Sequence, residues 1–150
     1  MASTISATRA ALYSLLYARF SGAGDPQVTF GIPMANEEQE VVAMLGVETG
    51  DEDDAVIGGA RPREESFTLV VKVKVYGPED DSATVDARGW EIADTVRDVV
   101  YDNRTMSGAL APTGWARVSS QTSPGAQPIE DAPGWVIFIE VRILCRARIS

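Results

Sequence analysis

Asp51, Glu52, Asp53 and Asp54 stand in a row, and oxygen ligands at such spacing invite comparison with a calcium loop. Ala55 and Val56 then occupy positions where that loop needs a further oxygen ligand and a glycine, so the run reads instead as a solvated acidic loop. A carboxylate pair for acid-base work must converge in a pocket, yet Glu91, Asp94 and Asp98 fall on exposed helix positions. Gly58, Gly59, Ala60 and Arg61 lack both the spacing and the lysine of a phosphate-binding loop. Cys145 is the one cysteine; it sits in an alternating apolar run as a small buried hydrophobe and has no partner for an intrachain disulfide. The chain has no histidine, which removes the commonest general base, zinc ligand and partner of a nucleophilic serine or cysteine. The expectation is a protein that is not an enzyme and uses no metal and no cofactor.

Charge narrows the partners. With 22 acidic and 13 basic residues the net charge is −9, which disfavours a general hold on nucleic acid or anionic lipid. Arg9 and Arg19 interrupt the apolar N-terminal region, so it does not read as a secretory signal. No stretch approaches the ~20 apolar residues of a membrane span. A chain of 150 residues with 45% hydrophobic content has the length and core of one domain, and we expect residues 1–150 to form it in a cytoplasm.

The elements that must carry these residues follow from periodicity. Thr4 to Phe20 reads as a helix, with Ile5, Leu12, Leu15, Leu16 and Phe20 on one face, widened by Tyr13 and Tyr17 and stopped by Gly22 and Gly24. Short strands follow at Val28 to Ile32 and Glu40 to Val47, the second alternating with apolar residues on both faces. Glu48 to Glu65 reads as a long loop, and Phe67 to Tyr76 as a strand with one apolar and one largely polar face. Asp80, Asp81 and Ser82 then offer caps for a helix to about Asn103, whose core stripe is Val85, Ile92, Val96, Val99 and Val100. Gly89 lies on that stripe, which predicts a tight helix-to-sheet contact. Trp115 to Ser119 reads as a strand, Gln121 to Pro133 as a projecting loop, and Trp135 to Arg148 as a long strand of period two.

Helix, two or three strands, helix, two strands is not a strand-helix alternation. The predicted fold class is therefore α+β: a mixed, mainly antiparallel sheet of four to five strands with two helices packed on one face. On the second helix Trp90, Arg97 and Tyr101 lie within about 40° of one another, roughly opposite the valine stripe. Aromatics and arginine there need cover, either from a loop of the same chain or from another subunit. Trp90, Arg97, Tyr101, Tyr13 and Tyr17 are the candidate subunit interface. Lys72, Lys74, Glu140, Arg142, Arg146 and Arg148 share the polar sheet faces, which either line a channel, meet a partner or are simply solvated.

The helix ALYSLLYARF, the strand SFTLVVKVKVYG, the helix DARGWEIADTVRDVVYDN, the Trp115 strand and the terminal strand GWVIFIEVRILCRAR together resemble the phage tail terminator and tail-completion proteins. That resemblance covers most of the chain and rests on order, spacing and texture. It implies a virion structural protein, assembled in the host bacterial cytoplasm, that forms a homo-oligomeric, hexameric ring. Such a ring caps the tail tube, joins it to a head completion or neck protein, and leaves a channel through which DNA passes without sequence-specific binding. The long loops at 48–65 and 121–133 depart from the compact pattern. Two other readings compete: another neck subunit such as a head completion or stopper protein, and a small-molecule or peptide-binding α+β module, which would need a concave apolar pocket.

Overall fold

The computed structural model describes residues 4–31, 39–49, 63–110, 113–130 and 132–149. In chain order the elements are α1 (Ile5–Arg19), β1 (Gln27–Phe30), β2 (Glu40–Thr49), β3 (Arg63–Gly77), α2 (Ser82–Asp102), β4 (Trp115–Thr122), β5 (Gln127–Pro128) and β6 (Trp135–Ile149). They form one mixed sheet in the order β1-β2-β3-β6-β4, with the short β5 also pairing β6. Among the described residues β1 and β2 pair in parallel and the other pairings are antiparallel. The α+β class and the placement of both helices on one sheet face agree with the sequence.

The centre of the sheet is the β3–β6 pair, in register from Arg63 opposite Ile149 to Gly77 opposite Trp135. Strict alternation puts Phe67, Leu69, Val71, Val73 and Val75 on the same face as Ile137, Ile139, Val141, Ile143 and Cys145, all buried. Burying that many apolar side chains under two helices is the main stabilising term of the domain core. Leu12 and Leu16 of α1 are buried in the same core cluster as Val28 and Val42.

The helix α2 begins where Asp81 accepts a hydrogen bond from the Thr84 N–H at 2.8 Å, satisfying one of the unpaired donors of the first turn. Val85, Ile92, Val96, Val99 and Val100 are all buried, as the periodicity predicts, and the absent side chain at Gly89 lets the helix settle on β6. After α2 the chain turns through Met106, Ser107 and Gly108, each with positive φ. Met106 holds this uncommon backbone conformation with its side chain fully buried, which anchors the turn to the core.

Several boundaries differ from expectation, among them that of β1, which runs Gln27–Phe30 where Val28 to Ile32 was expected. The loop placed at Glu48 to Glu65 is shorter at both ends, because Glu48 and Thr49 still pair β3 and Arg63 to Glu65 already pair β6. The acidic run Asp51, Glu52, Asp53, Asp54 lies outside the described residues. β4 extends to Thr122, and Gln127–Pro128 pairs β6, so the second loop is held to the sheet where its composition suggested free projection. The alternation expected along β2 breaks between Met44 and Val47, where three steps on β2 match two on β3. That bulge returns Val47 to the side of Val42 and Met44, and the stretch from Val41 to Val47 carries no polar residue to mark the shift.

Candidate interaction surfaces

In the order β1-β2-β3-β6-β4, the strands β1 and β4 are the two edges, and each brings aromatics and arginines to the surface. At the β1 edge, Tyr13 of α1 meets Phe30 edge-on, with ring centroids 5.6 Å apart and planes at 84°, and stacks obliquely on Tyr17 at 5.9 Å. The Arg9 guanidinium lies 4.6 Å from the centre of the Phe30 ring. Tyr17 is 60% exposed and Phe30 53% exposed, so this ring cluster is ordered by its own contacts and open to solvent.

At the opposite edge a groove of about 240 Å³ runs between the C-terminal half of α2 and β4, with Arg97, Tyr101, Arg104 and Arg117 among its walls. Arg104 lies 5.1 Å from the Tyr101 ring centre. Arg117 and Arg146 both lie against Trp115, at 5.2 and 5.6 Å. The backbone ties these parts together, because the Ala116 N–H donates to the Arg104 carbonyl at 2.8 Å. Tyr101 is 69% exposed. Among the described residues none of Arg97, Arg104, Arg117 and Arg146 has a carboxylate within ion-pair distance, whereas Arg88 and Arg142 are each paired twice.

To Arg97 and Tyr101, which came from a helix face, the structure adds Arg104 and Arg117 in the groove; Arg146, from a sheet face, does not line it and lies against the Trp115 ring. Trp90, on the same helical line, is instead partly buried and packs against the core. The same-chain cover that its position called for is therefore supplied at Trp90 and not at Tyr101.

The outer sheet face holds Lys72, Lys74, Glu140, Arg142 and Arg146 in register, as the alternation predicts. Arg148 shares that register opposite Glu64, but its side chain lies outside what is described. Arg142 reaches across β3 to bind Glu48 through both terminal nitrogens, one at 2.9 Å, and its Nε meets Glu140 at 2.9 Å. These hydrogen bonds favour the charged forms, holding the Glu48 carboxyl below its ordinary value and the Arg142 guanidinium above its own. Lys72 lies 4.8 Å from the Phe138 ring centre. This face is internally neutralised over much of its extent.

On the helix side Arg88 binds both oxygens of Glu40, at 2.7 and 2.9 Å, and Glu91 at 2.9 Å. The Glu40 bonds are the main cause of its raised basicity. Among the described residues no three of the His, Cys, Asp and Glu side chains are placed to hold a metal ion, and no helix is long and apolar enough to cross a membrane.

No family model and no curated protein matches this chain. Among solved structures, a chain of the "Virion of native gene transfer agent (GTA) particle" is similar to it, with 17% identity over 93% of each chain and a TM-score of 0.44.

Proposed function

We propose that this chain is a structural subunit of a phage virion: a tail terminator whose copies close into a ring, most simply a hexamer, capping the tail tube and joining it to the head or neck. The observation that carries the reading is where the exposed large apolar side chains lie. Among the described residues these are Tyr17, Phe30 and Tyr101, two at the β1 edge and one at the β4 edge. A closed ring larger than a dimer needs two different complementary faces on each copy, one at either side, because a self-complementary patch stops at two. Aromatic side chains beside arginine are what the cores of such contacts hold. The order of helices and strands quoted above, with its resemblance to tail terminators, supplies the choice of machine.

In this reading the work is mechanical and no catalytic step is involved. DNA passes through the ring without being read, and the excess of carboxylates limits non-specific adhesion, which arises mainly from phosphate neutralisation. The test is the solution mass of the purified chain by light scattering across a concentration series, alone and with a tail-tube protein. A closed ring in either condition is expected. A chain that stays monomeric and never joins the tube would refute the terminator reading, and binding to the head side alone would transfer it to another neck subunit.

A further inference from the structure

We infer that the groove at the β4 edge, where Arg97 and Arg104 stand beside Tyr101, docks a second copy of this chain through the ridge of carboxylates that Asp94, Asp98 and Asp102 form along that copy's α2. The inference rests on the ring reading and names the two faces that meet.

Two arginines fix the two flanks of α2. Arg88 binds Glu40 of β2 and donates to the Gly24 carbonyl, so its flank of the helix faces the β1–β2 side of the sheet. Arg97 follows nine residues later, about two and a half turns, and points the opposite way, where it lines the groove against β4. Asp102 stands close to four turns after Arg88 and so returns to the Arg88 flank. Asp98 and Asp94 precede it at intervals of four residues, so the three carboxylates form one row that climbs from the outer crest of the helix to that flank. All three are exposed, as are Arg97, Tyr101 and Arg104.

Neither row is neutralised within the chain. Among the described residues Asp94, Asp98 and Asp102 have no cation within ion-pair distance, and Arg97 and Arg104 have no carboxylate. Asp94 precedes Arg97 by three residues, the spacing at which Arg88 does bind Glu91, yet these two stay apart. Arg104 lies 5.1 Å from the centre of the Tyr101 ring, which steadies the planar group and leaves its donor fork free for a carboxylate. A pocketed tyrosine between two such arginines is the kind of anchor on which contacts between proteins are built. Groove and ridge lie on different sides of one helix, so a copy cannot fill its own groove with its own ridge, and each contact leaves one groove and one ridge open for further copies. That is the head-to-tail arrangement a ring of more than two copies requires. DNA phosphates have the same charge as the ridge, but the net charge of −9 opposes the approach of a polyanion.

The experiment uses the full chain with two charge-reversed variants, Arg97→Glu/Arg104→Glu in the groove and Asp98→Lys/Asp102→Lys on the ridge, all at exposed positions, with circular dichroism confirming the fold. Native mass spectrometry and light scattering should show each variant alone assembling at least roughly tenfold more weakly than the parent, the size expected of losing close charge pairs at an interface. Mixing the two variants should restore assembly with alternating copies, since each reversed groove then meets a reversed ridge and each parental groove a parental ridge. Parent assembly should also weaken as salt rises, because the pairs join exposed groups. If the parent forms rings and both variants do so equally well, the groove is not the contact although the ring reading stands. If the groove variant assembles normally but loses a salt-dependent affinity of the parent for duplex DNA, the occupant is nucleic acid. If the ridge variant assembles like the parent, or if mixing restores nothing, the ridge is not the counterpart and the proposal falls. If the parent never exceeds two copies, alone or with a tail-tube protein, the ring reading fails and this inference with it.

Discussion

Gly89 of α2 lies directly on Ile137 of β6: a Cβ at position 89 would stand 2.7 Å from Ile137 Cγ2 and 3.2 Å from Ile139 Cδ1. The helix therefore rests on the central strand at a distance that any other residue would enlarge. Gly89→Ala should gain about 1 kcal/mol of helix propensity and lose about 1–3 kcal/mol to overpacking, because the opposing atoms are branched side chains locked in the middle of the sheet. We expect net destabilisation, read as a lower urea midpoint with an unchanged slope. A variant at least as stable as the parent would mean that Ile137 can move aside.

That contact shows which parts of the fold are legible in the sequence. A glycine on an otherwise apolar helical stripe has few explanations, and a fourteen-residue alternation from Trp135 to Arg148 has one, so α2 and β6 are specified by local pattern. Strand order is not. Nothing in QVTF says that β1 pairs β2 in parallel and so stands at an edge, which is what sets Phe30 beside Tyr13 and Arg9. The groove was half legible: helical geometry put Arg97 and Tyr101 on one face, but Arg104 and Arg117 are isolated arginines on either side of a turn, joined only by the return of the chain from α2 to β4. Trp90 shares their helical line, and only the packing around it separates a buried aromatic from an exposed one.

The cap of α2 gives a prediction with a definite pH sign. Hydrogen bonds from the Thr84 N–H, and then from the Thr84 side chain, hold the Asp81 carboxyl below its ordinary value. A carboxyl lowered on folding stabilises the fold above its unfolded pKa and ceases to as pH falls through the folded value. Asp81→Asn should therefore keep the cap but flatten the stability profile below about pH 4, near the ordinary aspartate pKa, whereas Asp81→Ala should lower the melting temperature at neutral pH. Glu48, held low by Arg142, contributes with the same sign. Parallel acid profiles for parent and Asp81→Asn would show that the charge at this cap does not matter.

Cys145 should be chemically silent in the folded chain. It is fully buried on the core face of β6, opposite Phe67 and Ala116, and burial pushes its thiol up to about 12. The thiolate is the reactive form, so modification must await opening of the central sheet. A disulfide-exchange reagent at pH 8 should label the native protein only at the rate of unfolding, and stoichiometrically within moments of adding denaturant. Fast labelling of the native chain would show that β6 separates from its neighbours far more readily than its pairing on both sides implies.

Phe30 tests the β1 edge independently of charge. Its ring is more than half exposed, and the part that is covered touches Tyr13 and Arg9, both of which have other contacts to hold them: Tyr13 stacks on Tyr17, and the Arg9 Nη2 reaches the Leu45 carbonyl at 3.5 Å. Phe30→Ala should then cost the isolated chain only about 1 kcal/mol, the usual worth of one edge-on aromatic contact near the surface. If this cluster is one face of the ring contact, the same substitution removes an aromatic anchor that becomes fully desolvated on assembly, and loss of such an anchor typically costs 2 kcal/mol or more of binding, roughly thirtyfold. Tyr17→Ala, with its ring still more exposed, should separate the two effects further. The measurement is paired: urea unfolding for the monomer and light scattering for the assembly. A large loss of stability with little change in assembly would assign the cluster to anchoring α1 on the sheet, and would leave the β1 edge without the role proposed for it.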